Sequence, residues 1–283
     1  MRFHAAKAME DDPEAPKTPG RHSSRPANAI ALACSAAVLA IRVWYRGAEV
    51  LHSGKRLYLA LAITVGFALA ARLARGVSSS GALAGAAVAF VFIFARQDLR
   101  LFWVLLVVFF VTLLATRAGR LRKQGLSIAE AERGRSASQV MANLGVAATL
   151  LAIPSVDSAH LLALAALAEL AADTTSSEIG AAFSNRTVLI TSWKEVPPGT
   201  DGGISLKGTA AGILAALITA ACAAALGLAR SGGMLVVAGA GAIGMLVDSI
   251  LGGTLEKRGY LNNDVVNLLS TAAAAAIALG FCR

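Results

Sequence analysis

Long apolar segments alternate with short polar stretches along most of the chain. Nine of these segments contain 16 to 22 residues each and are rich in alanine, leucine and valine, without the strict alternation of a half-buried strand. A helix needs about 20 apolar residues to cross the hydrocarbon core of a bilayer. The pattern therefore predicts an all-α, polytopic integral membrane protein with about nine transmembrane helices, at 28–45, 57–75, 78–95, 99–116, 137–153, 158–173, 208–229, 233–251 and 265–282.

The two ends of this pattern differ from its middle. Residues 1–26 hold four of the seven prolines and mixed charges without an apolar period. We expect a disordered cytoplasmic tail at 1–26, an extra N-terminal span within 27–56 and a membrane catalytic domain over 57–283. The fifth and sixth segments are the shortest, and only IPSVDSA joins them, which leaves a re-entrant pair open.

Composition supports the membrane assignment. Hydrophobic residues make up 56% of the chain and charged residues 15%, and the mean hydropathy is +0.65. A soluble α/β protein would instead alternate short strands with amphipathic helices. Cys34, Cys222 and Cys282 lie in apolar segments without the spacing of a zinc site, so we interpret them as core residues rather than as metal ligands or disulfide partners.

The net charge of +9 fits orientation in a bilayer better than a nucleic-acid partner, because the basic residues flank apolar segments. With the N-terminus inside, 18 of the 26 Lys and Arg residues lie on the cytoplasmic side and seven on the other, while Arg42 lies within the first segment. The positive-inside rule then places the polar loops 174–207 and 252–264 in the cytoplasm, where nucleotides are. In a bacterial cell the membrane would be the plasma or inner membrane.

Three acids lie inside or at the end of predicted spans. Glu169, Asp173 and Asp248 would each cost several kcal/mol in lipid unless they are paired, solvated or bound to a cation. Glu169, Asp173 and Ser177 share one helix face, because they are four residues apart. These acids are the strongest indication of a site in the sequence.

Glu178 is five positions from Asp173 and does not share that face. The two carboxylates can bind one ion only if the helix breaks within TTSS, Thr174 to Ser177. Alternatively, Thr175 caps a new helix and Glu178 closes a capping box. A continuous helix would make Glu169 or Ser177 the better partner for Asp173.

The loop that follows is rich in glycine and proline. Turns built on PPGTDGG can present successive amides to a phosphate, and three cations around it can bind phosphate oxygens. The loop contains no Walker sequence. The alternative interpretation is a plain turn, which needs no ligand. The candidate nucleotide-binding residues are Arg186, Lys194, Gly199, Thr200, Asp201, Gly202, Gly203, Ser205, Lys207 and Gly208.

A third cluster surrounds Asp248. Ser249 follows it, and Asn263, Asp264 and Asn267 can share one face at the start of the last helix, although Asn263 can also be an ordinary cap. Oxygen ligands of this kind suit Mg²⁺ rather than zinc. We therefore predict Asp173, Glu178 and Asp248 as catalytic metal ligands.

Two further patterns have simpler readings. Gln139 and Asn143 can order the site or hydrogen-bond two helices together. GAGAIG at 239–244 matches a dinucleotide motif, but it lies inside an apolar segment, where small residues favour close helix packing. We read Gly81 and Gly85 in the same way.

The order of motifs resembles the family called domain of unknown function 92, which includes a plant phytyl-phosphate kinase. The resemblance rests on SSSGALAG, RSASQVMANLG, ADTTSSEIG, KEVPPGTDGGISLKGT and DSILGGTLEKR with NNDVVNLLS, from about residue 60 to the C-terminus. The family is distantly similar to dolichol kinase, phytol kinase and the CDP-diacylglycerol synthases. By resemblance, Asp173 and Glu178 match the acidic motif. The positions that match the glycine-rich loop are Lys194, Gly199, Asp201, Gly202, Ser205 and Gly208. Asp248 and Ser249 match a third motif loosely.

The resemblance implies a membrane kinase that uses Mg²⁺ and a nucleoside triphosphate, CTP favoured, to phosphorylate an isoprenoid phosphate of phytyl type. It also implies a homodimer, by analogy with the synthases. The residues alone indicate only a phosphate and a divalent cation at the cytoplasmic interface. A cytidylyltransferase, a prenol kinase, a transporter and a membrane scaffold remain alternatives.

Overall fold

Within the described residues, each of the nine predicted spans overlaps one helix. A computed structural model describes residues 27–38, 54–94, 99–120, 134–154 and 158–282, so the predicted tail at 1–26 and residues 39–45 of the predicted first span lie outside the described residues. The helices are α1 (Ala27–Val38), α2 (Gly54–Leu73), α3 (Ser79–Phe94), α4 (Leu99–Arg117), α5 (Ala137–Ala152), α6 (Ala159–Phe183), α7 (Leu206–Ala225), α8 (Ser231–Leu251) and α9 (Asn263–Leu279).

Helix α6 is longer than predicted and does not break within TTSS. It continues without interruption to Phe183, ten residues beyond the predicted end of the sixth span. Thr174 and Thr175 are buried, and the Ser177 hydroxyl donates to the carbonyl of Thr174 at 3.1 Å within the same helix. Internal bonding of this kind lets hydroxyl residues continue a helix. The predicted helix break and the capping box from Thr175 to Glu178 are therefore wrong.

The centre of the bundle is α6. Every residue from 162 to 172 is buried, and the helix packs against α4, α5, α7, α8 and α9. Among the described residues, three helices are long and apolar enough to cross a membrane by length and composition: Leu99–Arg117, Leu206–Ala225 and Ser231–Glu256. Five other apolar helices are shorter, so the total of nine spanning helices stays a prediction.

Glycines of α8 bring that helix close to α6. A Cβ at Gly241 would lie 2.8 Å from the carbonyl carbon of Ala168, and a Cβ at Gly244 would lie 2.6 Å from Cγ of Glu169. The predicted packing role of GAGAIG is confirmed at these two positions. Gly81 also allows a close approach, to the carbonyl oxygen of Arg135, whereas Gly85 faces open space.

We expect opposite effects from alanine at Gly241 and at Gly239. Gly241→Ala forces α8 away from the backbone of Ala168 and should cost about 1–3 kcal/mol of stability. Gly239→Ala meets nothing within 4 Å and should stabilise the helix by up to about 1 kcal/mol. Thermal unfolding in detergent measures both. Equal midpoints would contradict the packing role.

The described fold is mostly helical, as predicted, and it also contains a small sheet that the sequence did not predict. The loop between α6 and α7 contains strands β1 (Thr187–Leu189), β2 (Glu195–Val196) and β3 (Gly203–Ile204), in the order β2-β1-β3. Both pairings with β1 are antiparallel, with Val188 opposite Glu195 and Ile204. Each strand has only two or three residues, too few for an alternating pattern to predict. The sheet fixes the glycine-rich loop at the end of the bundle.

Candidate functional site

A polar cavity of about 350 Å³ opens where α5, α6, α8 and α9 meet the glycine-rich loop. It brings together residues from RSASQVMANLG, ADTTSSEIG, the glycine-rich loop and the segments around Asp248 and Asn267. Those predicted as site residues that line it are Gln139, Asn143, Asp173, Ser177, Glu178, Gly199, Thr200, Asp201, Gly202, Gly203, Ser205, Asp248, Ser249, Asn263 and Asn267.

The carboxyl groups of Asp173 and Asp248 meet at the wall of this cavity. Asp173 lies on α6 and Asp248 on α8, and their carboxyl groups are close enough to interact directly. The Ser270 hydroxyl donates to Oδ2 of Asp248 at 3.2 Å. Two carboxylates this close repel each other unless a proton or a cation lies between them. The pair is therefore the main electrostatic feature of the site.

Glu169 lies one turn deeper on the same face of α6. It is 1% exposed, does not line the cavity, and interacts electrostatically with both aspartates. Ser270 is also within hydrogen-bonding range, yet Oε1 of Glu169 has no hydrogen-bond partner among the described residues. Because α6 is continuous, Glu169 is a neighbour of Asp173 on the same helix face, which is the arrangement predicted for an unbroken helix.

Glu178 lines the same cavity, but the proposed pairing with Asp173 is wrong. That pairing required a helix break between the two residues, and α6 is continuous. Five residues along a helix correspond to a rotation of about 140°, because each residue turns about 100°. The partner of Asp173 is Asp248, from another helix.

Glu256 is an acid of the site that the sequence reading missed. It ends a π-helical turn, Gly252–Glu256, that extends α8, and it lines the cavity. The carboxylates of Asp201 and Asp264 are close enough to repel the carboxylate of Glu256. Turns of this type are rare and concentrate at functional sites. In the sequence, Glu256 is one of several charged residues in the loop 252–264, and nothing distinguishes it there as a site residue.

The glycine-rich loop lies directly on this π-helical turn. Gly202 has φ +73°, and a Cβ there would lie 2.3 Å from the backbone of Gly253. Gly199 also has a positive φ. Two amides of the loop are used internally, since Thr200 donates to Pro197 and Gly203 donates to Thr200. The predicted phosphate nest would therefore have to use other amides of the loop.

The basic residues that were predicted to bind phosphate lie outside the cavity. Arg186 pairs with Glu195 at 3.8 Å on the exposed sheet, and Lys194 is exposed beside it. Lys207 donates from Nζ to the carbonyl oxygen of Phe183 at 3.0 Å, at the end of α6. Gly208 also lies outside, because it packs against α6, where a Cβ would lie 2.6 Å from the carbonyl oxygen of Ser176.

Arg135 is the one cationic side chain among the described residues that lines the cavity. Its Nη2 donates to the Thr174 hydroxyl at 3.3 Å, and it interacts electrostatically with Asp173. Arg135 is the first residue of the RSASQVMANLG motif, but it was not among the predicted site residues. Arg135 precedes α5, so its approach to α6 depends on tertiary packing that the sequence pattern does not report.

Gln139 and Asn143 border the cavity from α5. The Gln139 side chain completes a capping box with Ser136, and Nδ2 of Asn143 donates to the Gln139 carbonyl at 2.8 Å. These bonds lie within one helix and its cap, and do not link two helices. Both side chains therefore act as part of the cavity wall.

The start of α9 supplies amide side chains to the opposite wall. Asn262 is the cap, with its side chain accepting from the Val265 amide at 2.9 Å, so the alternative of Asn263 as the cap is wrong. Asn263 and the buried Asn267 line the cavity, whereas Asp264 does not.

The cavity fits a magnesium ion held by two carboxylates better than one held by three. Among the described residues, no group of three or more His, Cys, Asp or Glu side chains has the arrangement of a metal site. Mg²⁺ usually takes one or two protein carboxylates and completes its shell with water and substrate phosphate. Asp173 and Asp248 supply such a pair, and the hydroxyl and amide groups around them are oxygen donors.

Comparison with known proteins identifies the family. Residues 62–275 match the family described as integral membrane protein DUF92. The chain belongs to the DUF92 family. The matched region begins in α2 and ends in α9, so it contains every element that lines the cavity. The resemblance that the motifs indicated is confirmed.

Several curated proteins resemble this DUF92 chain. Uncharacterized membrane protein sll0875 of Synechocystis is 35% identical over 67% of this chain and 77% of its own length. Uncharacterized membrane protein MJ0933 of Methanocaldococcus jannaschii is 30% identical over 78% and 92%. Protein VTE6, chloroplastic, of Arabidopsis thaliana is 33% identical over 58% of this chain and 53% of its own length. No solved structure matches the chain.

Proposed function

We propose that the protein is a membrane kinase that transfers the terminal phosphate of a nucleoside triphosphate, with CTP favoured, to an isoprenoid monophosphate of phytyl type. One observation carries the proposal. The carboxyl groups of Asp173 and Asp248 meet in a polar cavity that is bordered by Arg135. Adjoining carboxylates suit a magnesium-bound phosphate, and the guanidinium suits a second phosphate. Membership of DUF92, the family whose resemblance implies a phytyl-phosphate kinase, supports the kinase assignment.

In this proposal, an oxygen of the acceptor phosphate forms a bond to the terminal phosphorus of CTP. The bond from that phosphorus to the bridging oxygen breaks, and CDP leaves with the electron pair. Asp173 and Asp248 would hold Mg²⁺, which would neutralise charge on the transferred phosphate. Arg135 orients the acceptor phosphate, which is already an anion and needs no strong base. The loop from Gly199 to Ser205 covers the triphosphate.

The membrane placement belongs to the same proposal. The excess of basic residues at the predicted inner side supports a cytoplasmic glycine-rich loop, on the side where CTP is available. A homodimer stays a prediction.

The decisive experiment incubates purified protein with labelled CTP or ATP and a panel of prenols and prenyl monophosphates, with and without Mg²⁺. We expect Mg²⁺-dependent formation of a prenyl diphosphate and release of CDP. Release of pyrophosphate would favour a cytidylyltransferase, and transfer to a free prenol would favour a prenol kinase. Absence of transfer to every lipid would overturn the enzyme assignment and favour transport.

A further inference from the structure

A second, apolar cavity of about 180 Å³ lies beside the polar one, between α2, α3, α4 and α5. Its walls are built from Phe67, Leu105, Val108, Phe109 and Leu144, with small residues on the α2 and α3 side. Gly85 of α3 borders it, and a Cβ at Gly85 would meet nothing within 4 Å. We call this cavity the apolar cleft.

All four charged side chains that line the apolar cleft are arginines. They are Arg75, Arg117, Arg120 and Arg135, and none of the described lining residues is acidic. Arg75 follows the end of α2, Arg117 ends α4, and Arg135 precedes α5, so these positions meet at one end of the bundle. From Leu105 to Arg117 the cleft follows α4 for about 18 Å, at 1.5 Å per residue. An apolar groove with a cationic end complements an amphiphile whose head group is an anion.

The apolar cleft and the polar cavity share one boundary. Arg135, Gln139 and Asn143 line both of them. The Arg135 backbone is held against the loop before α3, because its amide donates to Gly76 at 3.1 Å and its carbonyl accepts from Ser78 at 2.9 Å. Its guanidinium reaches the Thr174 hydroxyl, next to Asp173. A chain in the cleft would therefore place its terminal phosphate at Arg135 and beside the carboxylate pair.

We propose that the apolar cleft holds the isoprenoid chain of the acceptor and that Arg135 binds its phosphate at the boundary between the two cavities. This inference rests on the proposed kinase function. It assigns the acceptor to the α2 to α5 side of Asp173 and leaves the glycine-rich loop on the other side for the nucleotide. Charge complementarity and continuity with the carboxylate site are the two observations that select a prenyl phosphate.

The test fills the cleft with one side chain. Gly85→Leu extends into open space, and Gly66→Leu is the matched control, because Gly66 is exposed on α2, meets nothing within 4 Å and does not line the cleft. The probes are geranylgeranyl monophosphate, whose chain should occupy the cleft, and dimethylallyl monophosphate, whose chain is too short to extend along it. Direct binding of labelled probe is measured together with the kinetics.

We expect Gly85→Leu to weaken binding of geranylgeranyl monophosphate and raise its KM at least tenfold, with little change for dimethylallyl monophosphate. Gly66→Leu should behave as the wild type with both probes. Arg135→Lys keeps the charge but loses the planar, bidentate guanidinium, so it should weaken the binding of both probes. Equal affinity of Gly85→Leu and wild type for the long probe would overturn the cleft assignment. Failure of the wild type to phosphorylate either probe would instead overturn the proposed function.

Discussion

Asp173→Asn should reduce nucleotide-dependent phosphorylation of a prenyl phosphate by roughly a hundredfold to a thousandfold, the loss typical of removing one preorganised charge from a reaction centre. The protein should remain folded, because asparagine is similar in size to aspartate and removes one charge from the buried cluster of Glu169, Asp173 and Asp248. Activity with labelled CTP and the unfolding midpoint in detergent are the two measurements.

The matched variants separate a site role from a general charge effect. Asp248→Asn should lose as much as Asp173→Asn, since the two carboxyls act as a pair. Glu178→Gln should lose less, because Glu178 does not pair with Asp173. Glu195→Gln removes an exposed ion-pair partner on the sheet and should leave turnover unchanged. Wild-type turnover by Asp173→Asn would exclude the metal-binding role.

Gly202→Ala should lower activity about a hundredfold and leave the helical bundle intact. Its Cβ would lie 2.3 Å from the backbone of Gly253 and 2.7 Å from the carbonyl oxygen of Ser249, so the loop must move off the end of α8. Displacement of a positioning loop by about 1 Å can cost this much in rate. The change should be measured as KM for the nucleotide and as kcat.

Gly259→Ala provides the control for backbone strain. Gly259 has φ +76°, close to the +73° of Gly202, but a Cβ there meets nothing within 4 Å. Both alanines carry the same left-handed strain of about 1–2 kcal/mol. Only Gly202→Ala also displaces the loop. Equal activity losses in the two variants would assign the effect to strain and contradict the role of the contact with Gly253.

The sequence predicted most of the cavity because intramembrane carboxylates and clustered turn residues are unusual on energetic grounds. Asp173, Asp248 and the PPGTDGG loop each stood out within its own segment, and they meet in one cavity. Arg135 and Glu256 did not stand out, because each is an ordinary charge beside a span when it is viewed locally. Three basic residues were predicted to bind phosphate because they are near the glycine-rich loop in sequence: Arg186, Lys194 and Lys207. The sheet and the end of α6 hold them outside the polar cavity.

The sequence by itself determined the membrane class, the order of the helices and the position of the acids, since each depends on local hydropathy and residue type. The tertiary structure decided which acids meet. Continuous hydrogen bonding through TTSS keeps α6 intact, and the glycines of α8 allow the close approach that brings Asp248 to Asp173. The helical period relates residues only along one helix, whereas Asp173 and Asp248 lie on different helices and are 75 positions apart in the chain. Packing of small side chains between helices therefore determined the site.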